Sequence, residues 1–236
     1  MHLGLPALAG IFLVLVYPYA QLDSLLINQF FDTKTLSFPL QSDWFLENIM
    51  HQGLKLFMVA ISLIVFALWL MGLKILSTVT IYLTEILGLN KRKLVCLQTY
   101  HRQFLWVFVA MLITTSTISI LKHLSEHACP WDLLLYGGKQ PLIPLFGSLP
   151  VGAVAGHCFP GGHASGGFAL MAFYFGFRDS ASKVAKIGLW AGMLFGLAMG
   201  WGQMMRGAHF MSHNLWTAWI IWMLLLLLYL IWAPKK

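Results

Sequence analysis

The chain has 236 residues, of which 59% are hydrophobic and 10% charged, with 15 Lys and Arg against 8 Asp and Glu. Soluble domains are roughly 45–50% apolar and about 25% charged, so this composition excludes an ordinary soluble fold, and its aromatic content excludes disorder. It reads as an integral membrane protein, and the net charge of +7 is first a question of where the cations sit relative to the bilayer.

A helix needs about 20 mainly apolar residues to cross a bilayer, with a range near 17–25. Six stretches are predicted to cross, at 3–20, 54–73, 104–121, 163–177, 187–204 and 214–232. The first lacks the positively charged start of a secretory signal, because only Met1 and His2 precede it, and it reads as a helix of the mature protein. After the second, apolar sequence resumes beyond Lys74 and runs to Leu89 around Glu85, as a continuation or an interfacial helix. The fourth is short and borrows residues from its flanks. No internal repeat is evident, so 1–236 is expected to be a single domain, all-α, with six transmembrane helices.

Charge is unevenly placed between the spans. Lys91, Arg92, Lys93 and Arg102, then Arg178, Lys183 and Lys186, then Lys235 and Lys236 fall on one side. Asp23, Asp32, Asp43, Glu47, Glu126 and Asp132 fall on the other. The positive-inside rule puts both termini in the cytoplasm and turns the loops 21–53, 122–162 and 205–213 outward. The basic residues are scattered along one membrane face, which gives nucleic-acid binding no support. The bilayer is the expected partner.

The histidines cluster on that outer side. His123, His127, His157, His163, His209 and His213 belong to it or to its helix ends, and His51 is near it. Lys122 and Arg206 share the boundary. Any one such residue can simply snorkel to the interface, but several converging on one face point to function. Lys122 and Arg206 can clamp a phosphate. Pro160-Gly161-Gly162 leads into a helix and lets backbone N–H groups approach an anion. His163 then stands at the first helical turn, and His209 lies three residues beyond Arg206. Two histidines about a phosphate allow one to attack phosphorus and the other to protonate the leaving oxygen. A Ser-His-Asp order is not visible.

These blocks resemble those of the type 2 phosphatidic acid phosphatase (PAP2) superfamily, whose pattern is Lys-x6-Arg-Pro, Pro-Ser-Gly-His and Ser-Arg-x5-His-x3-Asp. Here they read Lys122-x6-Cys129-Pro130, Pro160-Gly161-Gly162-His163 and His209-x3-His213. The order, the spacing and the six-span layout agree. The resemblance implies a PAP2-like helical bundle whose outer catalytic loop covers about 122–162. It also implies a phosphohistidine on His209, a general acid at His163 and phosphate ligands at Lys122 and Arg206. The backbone N–H groups of Gly161, Gly162 and His163 would add to the anion site, and neither a metal nor a cofactor is expected. The substrate would be a phosphorylated membrane lipid: undecaprenyl diphosphate, a phosphatidate-type lipid or lipid A. The setting would be a bacterial inner membrane with the site toward the periplasm or exterior. An acceptor other than water would make the enzyme a phosphotransferase.

Four positions depart from the pattern. Cys129 replaces Arg, Gly161 replaces Ser, and Gln203 stands at the usual Arg position with Arg206 one turn nearer His209. His213 replaces the Asp that orients the nucleophile. A neutral imidazole can accept the His209 proton, but it cannot offset a developing imidazolium as a carboxylate does. Glu126 and Asp132 are the loop carboxylates that can supply that charge.

Cys129 and Cys158 both lie in the outer loop, where an oxidising exterior would join them as a disulfide. The alternative is two buried thiols. Two competing readings use the same residues. His123/His127 and His209/His213 are i, i+4 pairs that suit a histidine-box metalloenzyme, though Lys122 and Arg206 would repel a cation. A lipid-phosphate binder or transporter without turnover would also keep the cations.

Overall fold

The computed structural model describes residues 2–18, 20–73 and 91–234. The apolar tail expected between Lys74 and Leu89 lies outside the described residues. Those described form helices, with no strand among them and two isolated bridges, Asp32 with Ser37 and Leu133 with Gln140.

Helix α1, Gly4–Ile11, continues as a π-helix over Phe12–Val16, and a short α2, Leu22–Ile27, follows it. A π-helix over Phe45–Gly53 passes without a break into α3, Leu54–Met71. The long α4 covers Lys91–Leu124. Helix α5, Gly162–Phe168, a 3-10 turn, Ala169–Met171, and α6, Ala172–Phe177, make one continuous rod. Helices α7, Ser182–Met205, and α8, Met211–Ile231, complete the bundle.

Four of these helices are long and apolar enough to cross a membrane: Phe45–Met71, Val95–Leu124, Ser182–Met205 and Met211–Ile231. The six-span expectation is therefore met at four places by length among the described residues. Gly4–Val16 and the rod beginning at Gly162 are shorter. The rod is short because protein rather than lipid surrounds it: Ala164, Phe168, Ala169, Met171, Ala172 and Phe175 are all buried.

The helical region before α3 was expected to be loop. Asp43 explains why the helix starts early. Its carboxylate accepts the Leu46 N–H at 2.9 Å and its carbonyl accepts that of Glu47 at 2.9 Å, which meets the unpaired donors of a first turn. Glu47 and His51 thus belong to the same helix as Lys55.

The rod packs against α7 through small residues. A Cβ on Gly167 would lie 2.4 Å from the Gly196 nitrogen, and one on Gly196 would lie 2.3 Å from the Phe168 ring. Lipid tails are as apolar as side chains, so helices in a membrane associate through such close van der Waals contact. The N-terminal segment is tied at both ends. The Tyr174 hydroxyl hydrogen-bonds His2 Nε2 at 2.6 Å, and the Tyr17 hydroxyl donates to Asp23 Oδ1 at 3.0 Å. It therefore reaches from the α6 end of the bundle to the start of α8.

Candidate active site

The site forms at the end of the bundle where α4 stops, the rod starts and α7 turns into α8. That turn is built by backbone chemistry. Arg206 caps α7. Gly207 N–H then bonds the Met204 carbonyl and Ala208 N–H the Gln203 carbonyl, each at 2.9 Å. This is a Schellman ending, and it needs a left-handed residue after the cap. Gly207 supplies it with φ of 76°, and a Cβ there would meet the Phe38 ring at 2.3 Å.

His209 leaves this turn and α8 begins two residues later. The α8 N-terminus has no cap from its own Phe210. Asp23 of α2 supplies one from 189 residues away: Oδ1 accepts the Ser212 N–H at 2.9 Å and Oδ2 accepts the Ser212 hydroxyl. Burial raises the Asp23 carboxyl above its usual range, and the bonds to Ser212 and Tyr17 counter part of that rise.

One cavity of about 790 Å³ collects Lys122, Gly162, His163, Ser165, Gln203, Arg206 and His209 on its wall. Four of the five residues expected to be catalytic are thus brought together. His213 is the exception. It lies behind His209, its Nδ1 3.4 Å from His209 Nδ1, and lines a separate cavity of about 510 Å³ with Asp23 and His127.

Both imidazoles are buried, His209 to 4% exposure. Burial first, then His213 and the Lys122 cation, hold the His209 pKa well below its ordinary value, so the ring is neutral. At 3.4 Å one Nδ1 donates and the other accepts. With the proton on His209 Nδ1, its Nε2 lone pair is left to the cavity.

His163 is fixed from the other side. Its Nε2 donates to the Met50 carbonyl at 3.0 Å, so Nδ1 is the nitrogen left for proton exchange. His51 packs edge-on against it with ring centres 4.4 Å apart. Arg206 is buried and held in place: Nε donates to the Gln41 carbonyl at 2.9 Å, and its Nη2 is 3.7 Å from Glu47 Oε2. Lys122 crosses over Gly162, where a Cβ would come within 3.1 Å of its Cδ.

Gly161 stands behind the cavity wall. Its N–H is committed to the His213 carbonyl at 3.0 Å, and it does not line the cavity. The same packing accounts for glycine in place of serine, because a Cβ on Gly161 would stand 2.4 Å from Asn214 Oδ1. Gly162 does line the cavity.

The loop carboxylates expected to replace the family Asp are occupied elsewhere. Glu126 accepts the Leu149 N–H at 2.9 Å, and Asp132 accepts the Trp131 indole N–H at 3.0 Å. The carboxylate nearest in role is Asp23, which fixes Ser212 next to His213.

Cys129 and Cys158 are joined by a disulfide. Around it Gly156, His157 and Cys158 donate to the carbonyls of Glu126, Ser125 and His127, which stitches the loop closed. Trp131 N–H bonds the Gly207 carbonyl at 2.9 Å and couples this loop to the turn that carries His209.

The metalloenzyme reading loses its geometry. Helix α4 ends at Leu124, so His123 and His127 do not share a helix face, and His123 instead stacks on His157 at 5.5 Å. His209, His213 and Cys158 do bring possible ligand atoms within 4.8 Å of one another. The sulfur is in the disulfide, however, and the metal-binding form of cysteine is the thiolate.

Two residues were missed by sequence reasoning as site members. Gln203 lines the cavity at 4% exposure, and its amide nitrogen has no hydrogen-bond partner among the described residues. A buried unpaired donor is costly, and an anion in the cavity would satisfy it. Its place in the Ser-Arg-x5-His pattern was the signal. Lys55, on α3, also lines the cavity and had no motif to announce it.

Cations and imidazoles thus line one cavity at the end of a bundle of helices long and apolar enough to cross a membrane. The PAP2 superfamily model matches residues 103–236, more than half of the chain, and the chain belongs to that superfamily, whose members are generally phosphatases. Comparison with curated proteins and with solved structures gives no match.

Proposed function

We propose that this protein is a lipid phosphatase that works through a phosphohistidine. His209 Nε2 attacks phosphorus while Nδ1–H donates to His213. The bond from phosphorus to the leaving oxygen breaks, and that oxygen takes a proton from protonated His163 at Nδ1. Lys122 and Arg206 hold the non-bridging oxygens as their charge grows. Water, deprotonated by His163, then attacks the phosphohistidine. Inorganic phosphate leaves and His209 returns to its starting state.

The observation that carries the lipid reading is the shape of the cavity. It continues from His163 and His209 into the space between α3 and α4, past Met58, Val59, Leu63, Phe108 and Leu112. A polar head at one end and an apolar cleft at the other fit a phosphorylated lipid entering from the bilayer. A soluble phosphate ester would have no use for the cleft.

We read the chain as crossing an inner membrane six times with the site facing the periplasm. The ties of His2 to Tyr174 and of Tyr17 to Asp23 support a crossing by the first segment. The rod ends at Arg178, on the side rich in Lys and Arg. Both termini are then cytoplasmic.

The test is phosphate release by purified protein from phosphatidic acid, undecaprenyl diphosphate and lipid A. Wild type should release phosphate from at least one, and His209→Ala from none. Equal release by both proteins, or none by wild type, overturns the reading.

A further inference from the structure

The α3 wall of the cavity carries a cation, Lys55, and an imidazole, His51, that the reaction above does not use. Glu47, His51 and Lys55 recur every fourth residue across the junction of the π-helix and α3, and all three line the cavity. Met58, Val59 and Ser62 continue the same stripe into the cleft. The face that binds the lipid therefore begins with ionisable side chains and becomes apolar.

Among the described residues the cavity wall holds Lys55, Lys122 and Arg206 against one carboxylate, Glu47, a balance of 3 − 1 = +2. Glu47 is paired with Arg206, and neither Lys122 nor Lys55 has a carboxylate within 4.0 Å among the described residues. Lys122 beside Gly162 serves the reacting phosphate. Lys55 remains. It lies eight residues beyond Glu47, across the junction of the π-helix and α3. Ionisable residues inside membrane helices characteristically face a partner or a watery cavity and mark substrate paths.

We propose that His51 and Lys55 form a second anion subsite, which takes a further negatively charged group of the headgroup beside the phosphate held at Lys122. This rests on the phosphatase reading and narrows it to substrates with two anionic groups. His51 packs on His163, so the second group lies next to the proton donor, where a leaving group stands. A diphosphate would put its departing phosphate there. A headgroup with two separated phosphates would put its spectator phosphate there.

Three probes test this on detergent-solubilised full-length protein: farnesyl phosphate, farnesyl diphosphate and phosphatidylglycerol phosphate. Wild type should favour a two-anion probe. Lys55→Gln and His51→Gln should each lower kcat/KM on that probe at least tenfold more than on farnesyl phosphate. Lys55→Arg should keep the preference, which separates charge from folding. Loss on the diphosphate alone means adjacent anions, and loss on phosphatidylglycerol phosphate means separated ones. An equal loss on all three, or none, overturns the subsite. Wild type that releases no phosphate overturns the phosphatase reading instead. Calorimetry with inorganic pyrophosphate and phosphate then decides the subsite: pyrophosphate should bind wild type more tightly, and Lys55→Gln should erase the difference. No preference in wild type, or a preference unchanged in Lys55→Gln, contradicts it.

Discussion

His209 Nδ1 lies 3.4 Å from His213 Nδ1, and both rings are buried. A carboxylate in this place would accept the same proton and also balance a cationic imidazole. A second imidazole does only the first. With the proton on His209 Nδ1, the pair leaves Nε2 free to attack and leaves charge balance to other groups. Losing a hydrogen bond to a group that becomes charged costs about 1.5–3 kcal/mol, or roughly 10–150-fold. His213→Ala should lower kcat by that amount, while His209→Ala abolishes turnover. Equal activities for His213→Ala and wild type, in steady-state phosphate release, would contradict the pairing.

The pH profile follows from the neutral state of His209. Burial depresses its pKa below the ordinary value of 6.5. The nucleophile is active as the free base, so activity is retained as pH falls through 6.5 and is lost only at the lower, folded-state value. The acid limb of kcat/KM attributable to this group should lie well below pH 6.5. A limb at or above 6.5, absent from a substrate-only titration, would contradict the burial argument.

Gln203 tests whether the unpaired amide serves substrate. Gln203→Leu removes a donor that has no partner among the described residues, so the fold should keep its melting temperature within a few degrees. Losing one hydrogen bond to a charged group is worth about 1.5–3 kcal/mol, or roughly 10–150-fold in kcat/KM. A fall in melting temperature with unchanged kcat/KM would make Gln203 a packing residue.

Serine at the position of Gly161 is the family residue, yet here it should harm the protein. The added Cβ would stand 2.4 Å from Asn214 Oδ1, in a buried contact. Overpacking of this kind costs about 1–3 kcal/mol. Gly161→Ser should therefore lower the melting temperature, and Gly161→Ser with Asn214→Ala should recover part of the loss. Thermal unfolding followed by tryptophan fluorescence checks both.

The disulfide closes a loop of 29 residues' separation. In the chain-entropy account such a closure stabilises by about 3–4 kcal/mol. Cys129→Ala with Cys158→Ala should lower the melting temperature and reduce activity, because the loop is bonded to the Gly207 turn beside His209. An unchanged melting temperature in non-reducing buffer would contradict a structural role.

Much of this was legible in the sequence, for reasons that differ by element. Helices α4, α7 and α8 announce themselves because lipid demands long apolar runs. The rod after Gly162 is faint because its neighbours are protein, so shortness costs it nothing. The helix before α3 was hidden by Glu47 and His51, whose polarity reads as loop until the Asp43 cap and the cavity are seen. Lys122, His163 and His209 follow from motif spacing, and Arg206 from its place one helical turn before His209. Asp23, Lys55 and the committed N–H of Gly161 depend on partners far away in the chain, and spacing carries no record of them. His213 matched its motif position but stands behind the nucleophile rather than on the cavity wall.

The proposed reaction passes through a covalent phosphate on His209. Rapid acid-free quench of wild type with lipid substrate labelled at phosphorus, followed by alkaline digestion, measures it directly. Wild type should yield an acid-labile, base-stable phosphohistidine that maps to residue 209 and is absent from His209→Ala. Phosphate release by wild type with no label on His209 at any time, under conditions that slow hydrolysis, would contradict it.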